Sequence, residues 1–263
     1  MPDTATQSLP PLVNKTHMAH RLDGGISARA RLGLIVLATD YTIEWEWRQI
    51  MTPLAGVGLY EARIMNSSNI TPETLAAMEG DIASTTGLLL PGSPFDVIAY
   101  GCTSASMVIG EQRVTELIQS VRPEAKVTTP VTACRAAFEK LGVKRIALLT
   151  PYIQSINDMM RAYFEGRGIP VPVMGSFNIQ DDTKVARLSA DSVMNAALEL
   201  GRESSVDGVF VSCTSVRLVN VVEELEQKLG KPVTSSNHAM AWHTLRLAGI
   251  DEKLDGFGSL FRV

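Results

Sequence analysis

The chain of 263 residues carries 24 Lys and Arg against 28 Asp and Glu, a formal net charge of -4, with 45% hydrophobic and 20% charged residues. That length suits one large α/β domain or two of about 100 to 130 residues each, and the acidic balance provides no basic field for nucleic acid. No stretch reaches the roughly 18 to 20 uncharged apolar residues of a membrane span, and the 3 cysteines, none in a Cys-x-x-Cys pair, exclude a disulfide framework and make zinc unexpected. We therefore expect a reduced, cytoplasmic protein that acts on a small molecule, with no membrane and no nucleic-acid partner.

Residues 1–30 hold Pro10-Pro11 and scattered Thr, Ser and charges without the apolar core of a signal peptide, and read as a flexible N-terminal arm or a subunit-wrapping tail. Arg31 to Ala38 is a short apolar run, the profile of a first parallel strand. Thr39 and Asp40 follow it with N-cap chemistry for a helix through Met51, so Asp40 lies at a strand-to-helix turn. Gly58 to Met65 reads as a second strand. Thr71 caps the next helix with Pro72 in its first position, and that helix runs to about Leu90, where Pro91-Gly92 stops it.

Phe95-Asp-Val-Ile-Ala-Tyr-Gly-Cys-Thr-Ser-Ala-Ser106 then places a buried strand before Cys102, and a helix is expected from Met107 to Val121. Lys126 to Thr132 reads as a fourth strand with a Pro near its end. The rhythm repeats. A connecting helix runs from Ala133 to Leu141, a strand from Arg145 to Thr150 ends at Pro151-Tyr152, and a helix spans Ser155 to Arg167. A weak strand at Val171 to Met174, a polar loop through Asp182 and a helix from Ser189 to Ser204 lead to the second copy of the motif. That copy, Val206-Asp-Gly-Val-Phe-Val-Ser-Cys-Thr-Ser-Val-Arg217, ends its strand at Cys213. A helix from Leu218 to Leu229, a strand at Lys231 to Ser236 and a helix from His238 to Leu247 follow.

Two strand-turn-helix units with matching Cys-Thr-Ser turns imply an α/β fold of two similar, Rossmann-like parallel-sheet domains related by pseudo-two-fold duplication. The active site is expected in the cleft between them, where parallel strands deliver their carboxyl ends. The expected division is residues 31–134 plus 240–263 for the domain with Cys102, and 135–239 for the domain with Cys213. A lone cysteine is usually a small buried hydrophobe, which suits Cys134. Cys102 and Cys213 depart from that because they recur in matching context. A thiolate there is a competent base or nucleophile if its pKa is lowered, as at a helix N-terminus. The amides and hydroxyls of Thr103, Ser104, Thr214 and Ser215 offer donors for a carboxylate or oxyanion. Tyr152 and His238 sit at strand ends, where each reads equally as a ligand contact or as packing.

The paired Cys-Thr-Ser turns, Leu149-Thr-Pro-Tyr152 and Pro232-Val-Thr-Ser-Ser-Asn237 resemble the aspartate/glutamate racemase superfamily, in its maleate isomerase and arylmalonate decarboxylase branch. Leu37 to Glu44, Gly101 to Met107 and Ser235 to His243 are similar more narrowly to ectoine-utilisation proteins of the EutA type. The resemblance implies cofactor-independent chemistry by cysteines at two strand tips, in a homo-oligomer. Racemases of the superfamily use two cysteines as acid and base, and maleate isomerases use the first as a nucleophile. The decarboxylase branch keeps only the second, so Cys102 breaks its pattern. Maleate isomerases carry Asn where this chain has Asp40 and Asp182, and a carboxylate repels a dianion. The expectation is a racemase or isomerase acting on a small amino-acid-like carboxylate, with ectoine or hydroxyectoine breakdown as the setting that the resemblance implies. The alternatives are maleate isomerase-like or decarboxylase chemistry and non-catalytic binding of a small molecule.

Overall fold

The computed structural model describes residues 11–263. Residues 11–24 have no regular secondary structure and are exposed, and a single 3-10 turn at Gly25–Ser27 leads into the first strand. Of the range assigned to an N-terminal arm, residues 1–10 lie outside the described ones, and Ala30 already belongs to β1.

Among the described residues, eight strands form two sheets. The first lobe contains β1 (Ala30–Leu37), α1 (Ile43–Met51), β2 (Val57–Ile64), α2 (Pro72–Ala77), α3 (Ile82–Leu88), β3 (Val97–Gly101), α4 (Thr103–Ile109), α5 (Glu111–Gln119) and β4 (Lys126–Thr128). After α6 (Pro130–Leu141) the second lobe runs through β5 (Ile146–Thr150), α7 (Gln154–Glu165), β6 (Val173–Ser176), α8 (Asp182–Val185), α9 (Ala190–Gly201), β7 (Gly208–Val211), α10 (Val222–Leu229) and β8 (Val233–Ser235), and α11 (Ser236–Leu247) completes the regular elements. All pairings within the sheets are parallel, with strand orders β2-β1-β3-β4 and β6-β5-β7-β8. The identical orders are the duplication seen in three dimensions. In each sheet the chain reverses its direction of travel between the two central strands, so the crevice at their carboxyl ends is the place where such folds hold ligands.

The central strands β1, β3, β5 and β7 are buried almost throughout, which is why they read as unbroken apolar runs. Thr71 caps α2 in a capping box with Thr74, with Pro72 in the first turn, as the sequence requires. Several boundaries differ from expectation. The helix expected from Pro72 to Leu90 is interrupted by a 3-10 turn at Met78–Asp81, which contains Gly80. Gly110, at φ 96°, divides α4 from α5. Pro130 starts α6 behind a Thr129 cap instead of ending a strand. Residues 214–221 form turns, so the helix expected to follow Cys213 starts only at Val222.

The helices after the last strand of each sheet, α6 and α11, pack on each other, and α11 also lies against β3, β4 and α1 of the first lobe. The divisions expected at 134/135 and 239/240 therefore cut through two helices that join the lobes. No helix among the described residues is long and apolar enough to cross a membrane.

Candidate active site

The strand registers place each cysteine just beyond the carboxyl end of a central strand. Val36 of β1 pairs with Gly101 of β3, immediately before Cys102, and Leu149 of β5 pairs with Val211 of β7, two residues before Cys213. Gly101 is dictated by space: a Cβ there would lie 2.7 Å from the Ile35 carbonyl oxygen and 3.2 Å from Ile43 Cδ1. Cys102 and Cys213 line a single small cavity of about 20 Å³ between the lobes, together with Thr103, Ser104, Tyr152, Asp182 and Thr214. Asn66, Ser67 and Ile70 from the loop after β2, and Thr74, Leu75 and Met78 from the helix beyond it, complete the wall. Among the described residues lining it there is no Lys, Arg or His.

The two sulfurs are held differently. Cys102 is the N-cap of α4, and its Sγ accepts from the Ala105 amide at 3.4 Å. Cys213 sits at φ 98°, outside the usual range for a non-glycine residue, and its amide donates to Ser236 Oγ at 3.0 Å. Burial pushes the Cys102 thiol up to about 12, against the pull of the Ala105 amide and Ser104, and the carboxyls of Asp182 and Asp40 push it further. Burial also drives Cys213 upward, with Asp182 adding to it, while the Tyr152 hydroxyl and the Ser215 amide oppose. The helix-terminus effect expected to activate both cysteines thus operates on Cys102 alone and is outweighed there by desolvation. In the unliganded cavity both groups are thiols at neutral pH. Cys134, in α6, donates to the Val131 carbonyl at 3.3 Å and is an ordinary buried residue.

Asp182 opens α8 and reaches across the cleft. Its Oδ2 accepts from Thr39 Oγ1 at 2.6 Å and its Oδ1 from Ser215 Oγ at 2.8 Å. Thr103 Oγ1 donates to Ser236 Oγ at 2.8 Å, and Thr42 Oγ1 to the Ser215 carbonyl at 3.0 Å. Three of the expected ligand contacts take other places. Asp40 is fully buried outside the cavity lining; its Oδ1 accepts from the amides of Thr42 and Ile43 at 2.7 and 3.0 Å, so it fixes the start of α1. Burial raises its pKa despite those bonds. Ser215 supports Asp182 from behind the wall instead of lining it.

His238 is the clearest departure. It is fully buried, its Nδ1 is 2.9 Å from Thr234 Oγ1 and its Nε2 is 2.8 Å from the Phe257 carbonyl. A carbonyl only accepts, so Nε2 carries the proton and Nδ1 accepts from Thr234. Desolvation lowers its pKa to about 4. It is a neutral core residue that lies outside the cavity lining.

One buried acid escaped the sequence reading. Glu46 on α1 is fully buried, accepts from the amides of Leu218 and Val219 and from Asn237, and is pushed by burial up to about 7. Its setting in Ile43-Glu-Trp-Glu-Trp-Arg48 reads as the charged face of a surface helix, and Glu44 beside it does pair with Arg63 on the outside. Asn66 was legible only as a loop residue; in the fold its Nδ2 donates to Thr39 Oγ1 at 2.8 Å, next to Asp182.

Comparison with known proteins gives consistent relatives. A maleate isomerase from Nocardia farcinica is 29% identical over 242 residues, covering 88% of this chain and 95% of that protein. An arylmalonate decarboxylase from Bordetella bronchiseptica is 29% identical over 223 residues, covering 80% and 91%. The solved structure of the Nocardia farcinica maleate cis-trans isomerase bound to TRIS superposes with a TM-score of 0.81 at 28% identity, covering 89% of this chain and 98% of that one. A cysteine-to-serine mutant of that enzyme, carrying a covalently bound succinylcysteine intermediate, gives the same TM-score of 0.81. The family model described as arylmalonate decarboxylase matches residues 33–261, and with two sheets of one topology closing on a two-cysteine cavity, the chain belongs to that family.

Proposed function

We propose that this protein is a cofactor-independent isomerase in which Cys102 and Cys213 act from opposite lobes on one small carboxylate. The observation that carries the reading is the single cavity lined by both thiols and ringed by Thr, Ser, Asn and Tyr donors. Neutral donors hold a carboxylate by hydrogen bonds, and the amides at the two turns stabilise the oxyanion that forms when the adjacent carbon loses a proton. The reaction requires one of the two thiols to ionise first, its proton passing to water. That thiolate takes the α-proton from one face, and the opposite thiol delivers its own proton to the other. The product is the mirror-image centre, and the two sulfurs have exchanged roles.

Asp182 supports an ammonium-bearing substrate. It is an acid in the cavity wall, and its presence raises both thiols. A ligand ammonium beside it offsets that contribution, while the larger effect of burial on both thiols remains. The resemblance to ectoine-utilisation proteins supports choosing that substrate among amino acids derived from ectoine or hydroxyectoine.

A second reading is cis-trans isomerisation of an unsaturated carboxylate. The succinylcysteine intermediate of the Nocardia farcinica enzyme favours it. A thiolate adds to one alkene carbon, the former double bond rotates, and elimination returns the thiolate.

The purified protein in deuterated water separates the readings. Deuterium at the α-carbon of a diamino acid, abolished in both Cys102→Ser and Cys213→Ser, supports racemisation. Conversion of maleate to fumarate without exchange of any amino acid supports the second. Full turnover in both serine variants refutes a two-cysteine mechanism.

A further inference from the structure

The two cysteine turns differ in what fixes them. Cys102 has extended backbone, φ -142° and ψ 116°, and leads directly into α4. Cys213 is at φ 98°, a conformation that a non-glycine residue keeps only where its surroundings over-determine it. Residues 214–221 follow as turns, without a helix or strand ladder.

The bracing comes from the other lobe. Oε1 of Glu46, on α1, accepts from the amides of Leu218 at 2.6 Å and Val219 at 2.8 Å. Oε2 accepts from Asn237 Nδ2 at 2.7 Å, and the same Nδ2 donates to the Thr214 carbonyl at 2.7 Å. Trp47 Nε1 holds the Asn237 carbonyl at 3.2 Å, and Thr42 Oγ1 holds the Ser215 carbonyl at 3.0 Å. The turn is thereby gripped at residues 214, 215, 218 and 219 by α1 and by Asn237 of α11. A fully buried carboxyl bound only by neutral donors is costly to keep, and an apolar side chain would fill the same space at less expense. The acid adds direction: two amides and an asparagine aligned on a turn that carries a reacting sulfur.

We propose that Glu46 is the positioning residue for Cys213, setting the aim of its sulfur into the cavity through the 214–219 turn without itself touching substrate. The kinetic consequence rests on the two-cysteine reading; the placement of the thiol does not. Alkylation of the full chain by iodoacetamide, followed by peptide mass spectrometry, reads Cys102 and Cys213 separately in one sample. Glu46→Gln keeps an acceptor for the two amides but turns an amide nitrogen toward Asn237 Nδ2, donor against donor. The ratio of Cys213 to Cys102 alkylation rates is expected to change about tenfold, since small displacements of a reacting group are amplified in rate. kcat should fall on the order of 10- to 100-fold, with KM within about threefold.

Thr42→Val removes only the donor to the Ser215 carbonyl. It is expected to move the same ratio in the same direction by a smaller factor, and it carries the test if Glu46→Gln does not fold. A role in packing alone changes both cysteines together as stability falls. An unchanged ratio in the folded variants, or equal changes at Cys102 and Cys213, overturns the proposal. If Cys213→Ser retains full turnover while the ratio still shifts, the positioning role stands and the two-cysteine reaction is refuted.

Discussion

Two fully buried titratable groups oppose each other in acid. His238 has its pKa lowered from 6.5 to about 4 by desolvation, so between those values the unfolded chain binds a proton that the folded chain does not. Its contribution is complete above pH 6.5 and is lost as pH falls toward 4, to the extent of about 3 kcal/mol. Glu46 has its pKa raised from 4.5 to about 7, so there the folded chain holds the extra proton. Its contribution is complete below pH 4.5 and is lost as pH rises through 7, again about 3 kcal/mol. Across the shared window these two effects cancel each other. Replacing one group unmasks the other. Urea unfolding of wild type and Glu46→Gln at half-unit steps from pH 4 to 8 gives a stability difference between the two proteins that cancels all common groups. That difference should move in favour of the variant by about 3 kcal/mol as pH rises through the window. The corresponding difference for His238→Asn should move the opposite way, the variant losing ground to wild type as pH rises. Parallel profiles for wild type and Glu46→Gln would refute the assignment of Glu46 as a buried acid that ionises near neutrality.

Three further outcomes are expected. Asp182→Asn removes the carboxyl that raises both thiols, so the pH midpoint for iodoacetamide labelling of Cys102 and Cys213 should fall, as followed by peptide mass spectrometry; an unmoved midpoint at both sites refutes the electrostatic role. Gly101→Ala places a methyl 2.7 Å from the Ile35 carbonyl oxygen and should cost about 1–3 kcal/mol in urea unfolding, and a neutral result would show that β1 and β3 separate easily. Glu111 accepts hydrogen bonds from Thr132 and Tyr163 and pairs with Arg135 at 3.2 Å, joining α5, α6 and α7; Glu111→Ala should therefore destabilise by about 2–3 kcal/mol, whereas a loss below about 0.5 kcal/mol would class it as a surface pair.

What the sequence disclosed follows the range of the forces involved. The central strands and the Thr71-Pro72 helix start were readable because burial on both faces and capping act on neighbours in the chain. Gly110 was not readable as a break, because one glycine in an amphipathic run is tolerated in many helices; here its φ of 96° ends α4 and restarts the chain as α5. His238 needed a partner nineteen positions away, the Phe257 carbonyl, before its neutrality was decided. The absence of a helix after Cys213 was invisible for the same reason: Val216, Leu218 and Val219 look helical by composition, yet their turn is fixed by Glu46, 172 positions from Leu218. Asp40 was the reverse case. Its local capping role, legible beside the ligand role, is the one that the backbone realises.

The long-range bonds share a pattern that bears on how the site is assembled. Asp182 of the second lobe is oriented by Thr39 of the first, the Cys213 turn is held by Glu46 and Thr42 of the first, and Thr103 beside Cys102 is bonded to Ser236 of α11. Duplication supplied each lobe with a strand tip and a thiol, and contacts from the opposite lobe add to those that each turn receives locally, from the Ala105 amide at Cys102 and from Ser236 at Cys213. The proposed reaction on two faces of one carbon would depend on these contacts, since the two sulfurs come from different lobes and must be aimed at one atom.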